Sequence, residues 1–114
     1  MLFDCLNAGR RDMVTITFLN ESGKCTGLEA SGHAGYGPEG SDIVCAAVSA
    51  LVQGTMLSIN RLTVLESIQQ RAGGKLVFRI RDPDETTQIL FASLELALTE
   101  MQTEYGAFIE VCHG

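Results

Sequence analysis

The sequence predicts an α+β fold: a mostly antiparallel β-sheet with two α-helices, in the order β-β-α-β-β-α-β. Three observations carry that expectation. Val14, Ile16 and Phe18 alternate with Thr15 and Thr17, the period-two pattern of a half-buried strand. In the stretch "SDIVCAAVSALVQGTMLSINRL" the apolar residues recur instead at helical spacing. Further on, "DPDE" reads as a helix opening that follows two β-rich runs.

Residues 1–12 match no periodic template, so this leader is expected to be a frayed terminus, an alternative start or an expression remnant, followed by a single domain from 13 to 114. The first strand pattern breaks at "NESG" and resumes around Leu28, which predicts a hairpin over 13–20 and 24–31. The first helix carries Val44, Val48, Leu51, Thr55, Ile59 and Leu62 on one stripe, with Ser41 or Asp42 as its expected N-cap. Alanines and Val52 fill its other faces, so it must be covered on more than one side. Two β-rich runs around "RAGG" predict a second hairpin. Asp82 is then the expected N-cap of the second helix, with Pro83 at N1 and Glu85 at N3 completing a capping box. Leu90, Leu94, Ala97, Met101 and Tyr105 form its expected stripe, Gly106 stops it, and "AFIEVC" closes the fold as a strand.

A chain of 114 residues can bury a real core without metal or disulfide staples. The net charge of −6 and the scattering of only eight Lys and Arg argue against a direct nucleic-acid partner, whose phosphates are met by clustered cations. A basic protein or peptide is favoured in encounter. No uninterrupted apolar run reaches the roughly 20 residues of a membrane span, and the opening residues lack a secretory signal pattern, so a cytoplasmic protein is expected. In that compartment all four cysteines (Cys5, Cys25, Cys45 and Cys112) are expected as thiols.

The chemistry centres on "SGHAGYGPEGSDIVCAA". Gly35, Tyr36, Gly37 and Gly40 lie between His33 and Cys45 in a segment suited to bending over a substrate as a lid. Cys45 falls in the expected first turn of the helix, where free N–H groups and the dipole favour a thiolate. Those N–H groups could also meet an oxyanion. A cysteine with a histidine in reach is the minimal nucleophile and base pair. Asp42, Cys45 and Ser49 share one stripe, so Asp42 can orient the imidazole or cap the helix and Ser49 can line the floor of the site. From spacing alone, however, the packing reading is the commoner one: free cysteine is among the most buried residue types. No paired Cys spacing supports a metal site, and no cofactor is called for. Cys25 reads as a strand packing residue, Cys112 and His113 point to opposite faces of their strand, and Glu95, Glu100 and Glu104 read as a solvated helix face.

The combination of "SGHA" with "GSDIVCAAVSAL" at this separation resembles the ribosomal-processing cysteine protease family, Prp, densely over residues 32 to 51. The resemblance implies a cysteine endopeptidase that removes the N-terminal extension of bacterial large-subunit ribosomal protein twenty-seven. It makes Cys45 the nucleophile and His33 the general base, with Gly32, Asp42 and Ser49 on further motif positions. It also implies a homodimer, with that N-terminal peptide as partner. Two other classes compete: a non-enzymatic ribosome-associated or assembly protein, and a thiol redox sensor built on Cys45. The glycines between them lead us to expect His33 and Cys45 too far apart for a hydrogen bond in the free protein.

Overall fold

The computed structural model describes residues 13–32 and 39–114, with the backbone alone described for 39–42. The elements are β1 (Val14–Glu21), β2 (Lys24–Gly32), α1 (Glu39–Leu62), β3 (Ser67–Ala72), β4 (Lys75–Ile80), α2 (Glu85–Tyr105) and β5 (Ile109–His113). They form one five-stranded sheet of order β3-β4-β2-β1-β5. Every pairing is antiparallel except β1 with β5, which is parallel. The α+β class and the element order are those the sequence predicts.

Both hairpins turn on two residues with positive φ: Ser22 and Gly23 (53° and 81°), and Gly73 and Gly74 (59° and 77°). That sign at both positions matches the right-handed twist of the flanking strands. The β1–β2 register shifts between Leu19 and Asn20, just before the first turn. One sheet face carries Val14, Ile16, Phe18, Leu28, Ala30, Leu76, Phe78 and Ile109, all buried. The two helices pack against one another, and α1 and α2 close the core over that face. Phe78 meets Phe91 of α2 with ring centroids 6.5 Å apart and planes at 60°, a favourable tilted arrangement.

The start of α2 differs from expectation by two residues. Asp84, not Asp82, is the N-cap: its Oδ1 accepts from Thr87 N–H at 2.9 Å, and Thr87 Oγ1 accepts in return from Asp84 N–H at 3.0 Å. Thr87 therefore fills the reciprocal role expected of Glu85, which stands at N1. One turn into α2, Gln88 fastens the first hairpin. Its Oε1 accepts from Cys25 N–H and its Nε2 donates to Cys25 C=O, each at 2.8 Å. The buried stripe of α2 is Thr87, Phe91, Leu94 and Leu98, rotated from the expected one, because Phe91 and Leu98 point at the sheet while Leu90 and Met101 pack at its margin. Gly106 ends the helix with φ −59°, so the stop needs no left-handed residue.

Helix α1 begins at Glu39, so Ser41 and Asp42 lie inside it and neither is the N-cap. Val44, Cys45, Val48, Val52, Met56 and Ile59 line its buried flank, whereas Leu62 is 70% exposed. The segment Ile43–Leu62, of mean hydropathy 1.6, is long and apolar enough to cross a membrane, a property the search for uninterrupted apolar runs does not show. Here one flank of it is the centre of the protein's own core.

Candidate active site

Strand β2 ends at Gly32, which pairs with Val14 at the start of β1, while Ser31 pairs with Lys75 at the start of β4. Gly32 has φ +79°, and a Cβ there would run into the Met13 carbonyl oxygen. Only glycine lets the chain leave the sheet at this point. This gives a physical reason for the Gly that precedes His33, a residue the spacing argument could not assign.

Six residues, 33–38, join Gly32 to α1. His33, Gly35, Tyr36 and Gly37 lie outside the described residues, as does the question of a preformed Cys45–His33 hydrogen bond. Gly40 belongs to the helix and not to the connecting segment.

Cys45 is the seventh residue of α1, on its second turn and not its first. The helix dipole acts mainly within the first turn, so it favours a thiolate at Cys45 less than expected. Nor is the Cys45 N–H among the free donors of the helix start, since the ladder has closed by then. The side chain is 1% exposed and belongs to the core cluster. Cys45 is disulfide-bonded in this structure, which corrects the expectation of four thiols. Cys25 and Cys112 are free.

One turn further along, Ser49 is 3% exposed and its Oγ has no hydrogen-bond partner. An unpaired buried hydroxyl costs about 1–3 kcal/mol. It shares a flank of α1 with Cys45, so its unused hydrogen-bonding capacity lies beneath the turn that carries Cys45. Asp42 stands in the helix backbone one turn before Cys45, and its side chain is outside the described residues.

The other thiols are placed for packing. Cys25 Sγ contacts Gly27 C=O at 3.4 Å, and burial, partly offset by that contact, raises its pKa. His113 stacks on Phe18 and reaches Glu95 of α2 at 2.6 Å, an exposed contact through which the solvated face of α2 also touches the last strand. Among the described residues no cluster of three or more His, Cys, Asp or Glu could hold a metal ion. A cleft of about 710 Å³ lies at the opposite end of the sheet, lined by residues such as Lys24, Glu66, Arg79 and Arg81. No described motif residue lines it, and the Glu66–Arg81 ion pair there, at 3.7 Å, is exposed.

The profile of the family described as "Cysteine protease Prp" matches residues 13–110. This chain belongs to the Prp family of cysteine proteases. The ribosomal processing cysteine protease Prp of Staphylococcus aureus is 30% identical over 103 residues, covering 87% of this chain and 97% of the relative. A crystal structure of S. aureus Prp, described as an essential ribosomal processing protease with a covalently linked product peptide, superposes with a TM-score of 0.79 at 29% identity. That match covers 90% of this chain and all of the other. A crystal structure of SMU.848 from Streptococcus mutans gives 0.78 at 29% identity, over 90% of this chain and 99% of its own. The protein is thus a cysteine protease, and its fold places the strand end at Gly32 and the cysteine-bearing helix in one unit.

Proposed function

We propose that this protein removes the N-terminal extension of bacterial large-subunit ribosomal protein twenty-seven, using Cys45 as nucleophile and His33 as general base. The observation that carries the proposal is the full-length similarity to a Prp whose crystal structure holds a covalently linked product peptide. Cys45 is the cysteine within "DIVCA", and His33 follows the strand-end Gly32.

In the active form Cys45 is reduced. Its thiol gives a proton to His33, and the sulfur attacks the scissile carbonyl. The C–N bond breaks as His33 returns the proton to the departing amine, leaving an acyl thioester that water then hydrolyses. Because the Cys45 N–H is committed to the helix ladder, the oxyanion is met by donors other than the nucleophile's own amide. Asp42 is assigned to orienting the imidazole, and Ser49 to offering its free hydroxyl below the reacting sulfur. Action in the cytoplasm suits both a ribosomal substrate and the reduction of Cys45, since disulfides do not persist there.

The disulfide at Cys45 blocks the proposed nucleophile until it is reduced. One comparison tests this. Protein treated with dithiothreitol should cleave a peptide spanning the substrate's extension, and protein treated with diamide should leave it intact. Cleavage equal in both would remove Cys45 from the reaction, and no cleavage in either would remove this peptide as the substrate.

The outer face at the start of α1 supports a homodimer. Ile43 is 63% exposed, and Ala46 and Ala50 follow it on the same face, also exposed. Arg61 is the one charged residue from Ile43 to Leu62 of a chain whose net charge is −6. A face of small and branched apolar residues permits close approach of its twin. Sedimentation should show a dimer for the wild type and a monomer for Ala50→Glu, which alters an already exposed position. A monomeric wild type, or a dimer unaffected by that substitution, would remove this interface.

A further inference from the structure

We infer that the part of the polypeptide substrate several residues from the scissile bond is held as an added strand on the free edge of β3, in the groove between β3 and α1. The inference rests on the peptidase reading and adds to it the mode of substrate capture.

The two edges of the sheet are not alike. At β5 the Val111 N–H, which faces away from the sheet, donates to Gln102 Oε1 of α2 at 3.0 Å, so that edge is partly capped from within. At β3 the outward groups can be identified from the ladder. Glu66 C=O accepts from Arg81 N–H at 3.0 Å, which makes Glu66 and Arg81 a hydrogen-bonded pair one step beyond Ser67↔Ile80. Antiparallel pairing alternates, so Ile68, Gln70 and Ala72 point their amide groups into β4. Ser67, Gln69 and Arg71 therefore turn theirs outward, where no strand among the described residues meets them. Strand β3 contains no proline, and an open row of this kind is a template for another extended chain.

The side chains of those three residues lie on the helix side of the sheet, as their pairing with the buried Ile80, Phe78 and Leu76 requires. There they border a groove of about 310 Å³ whose lining includes Gln53, Leu57 and Asn60 of α1 with Gln69 and Arg71 of β3. Among the described residues no carboxylate lines it, although the chain as a whole is acidic. Amides and a guanidinium can bond main-chain groups of many sequences, the chemistry of an extended peptide.

The groove also leads to the nucleophile. Cys45, Ser49, Gln53, Met56 and Asn60 follow one another at steps of three and four residues and so share one flank of α1. Along the helix axis Gln53 is about 12 Å, and Asn60 about 22 Å, from Cys45. An extended peptide covers those distances in about four to seven residues. Main-chain pairing there would register the substrate before the bond to be cut reaches the sulfur.

The test uses reduced full-length protein and peptides spanning the cleavage segment of ribosomal protein twenty-seven. Gln69→Pro removes an outward N–H and leaves the β4 ladder intact, whereas Gln69→Ala keeps that N–H. Both variants lose the Gln69 side-chain amide, so the proline variant is compared with the alanine one. Loss of a hydrogen bond or two should raise its KM about five- to tenfold above that of Gln69→Ala, with the effect in KM and not in kcat. On wild type, N-methylation of successive peptide residues four to seven positions from the cut should raise KM at every second residue. A proline variant of unchanged melting temperature and unchanged KM, or N-methyl effects without alternation, would overturn the proposal. Conversion of a dimer to a monomer by Gln69→Pro would overturn it too, because the edge would then belong to a second copy. Should the proline variant not fold, the N-methyl series decides alone. If wild type leaves every peptide intact, the peptidase reading fails by itself, and anisotropy of the same labelled peptides on the Cys45→Ala variant decides the edge.

Discussion

Cys45→Ala should leave the ribosomal peptide intact under conditions in which reduced wild type consumes it, a loss of at least about 10³-fold in kcat/KM. His33→Ala should fall by a similar factor, and the double variant by little more, because nucleophile and base act as one unit. Binding should survive in the alanine variant, since removing one sulfur leaves the β3 edge and the outer face of α1 untouched. Its fold should also survive at some cost. Cys45 is a core residue, so the melting temperature should drop modestly, by the loss of one buried sulfur's contacts. Circular dichroism and quenched-peptide kinetics on the same preparations separate the two effects. Cleavage that persists in Cys45→Ala would end the nucleophile assignment.

Gly32→Ala is expected to be the most damaging change that touches no reacting atom. At φ +79° an alanine is strained by about 1–2 kcal/mol, and its Cβ would meet the Met13 carbonyl besides. Relief requires either β1 or the end of β2 to shift, and His33 is the very next residue. Activity should therefore fall by about 10²-fold, as it does when a catalytic group is misplaced by about an ångström. The melting temperature should fall with it. Gly73→Ala is the informative control: φ there is +59°, but open space surrounds the added Cβ, so strain without collision should lower stability and spare kcat. Equal activity in Gly32→Ala and wild type would show that the strand end does not position the base.

The fold was legible in the sequence because each element had a local cause. Strict alternation in β1 set which residues face the helices, and Gly-bearing breaks at "NESG" and "RAGG" became two-residue turns with positive φ. The ends of α2 were harder to read. "DPDE" offers two aspartates for one cap, and the choice fell to Asp84 because Thr87 is placed to return its hydrogen bond. The stripe of α2 was read one position off because Leu90 and Ala97 are apolar without being inward, while Phe91 fills the larger space beside Phe78.

The site was legible only in part. A Gly-His at a strand end and a Cys on the next helix are visible in one line of sequence, but the length of that helix is not. Starting at Glu39, it moves Cys45 into the second turn and removes the dipole argument on which its acidity had been expected to rest. Under the proposed assignment, activation then rests more heavily on His33. The unpaired hydroxyl of Ser49 could not have been read from spacing, which places a residue on a stripe but does not say whether it finds a partner. The pairing of Glu95 with His113 escaped for the opposite reason: the two are 18 residues apart and meet only through the sheet.

The most direct test of the account is the site of the covalent intermediate. Reduced protein is mixed with the ribosomal peptide, quenched in acid within the first turnover and digested for mass spectrometry. The account predicts an acyl group from the N-terminal fragment on the peptide containing Cys45, absent after dithiothreitol is replaced by diamide. Cleavage accompanied by an adduct on Cys25 or Cys112, or an acylated Cys45 that never releases the fragment, would contradict it.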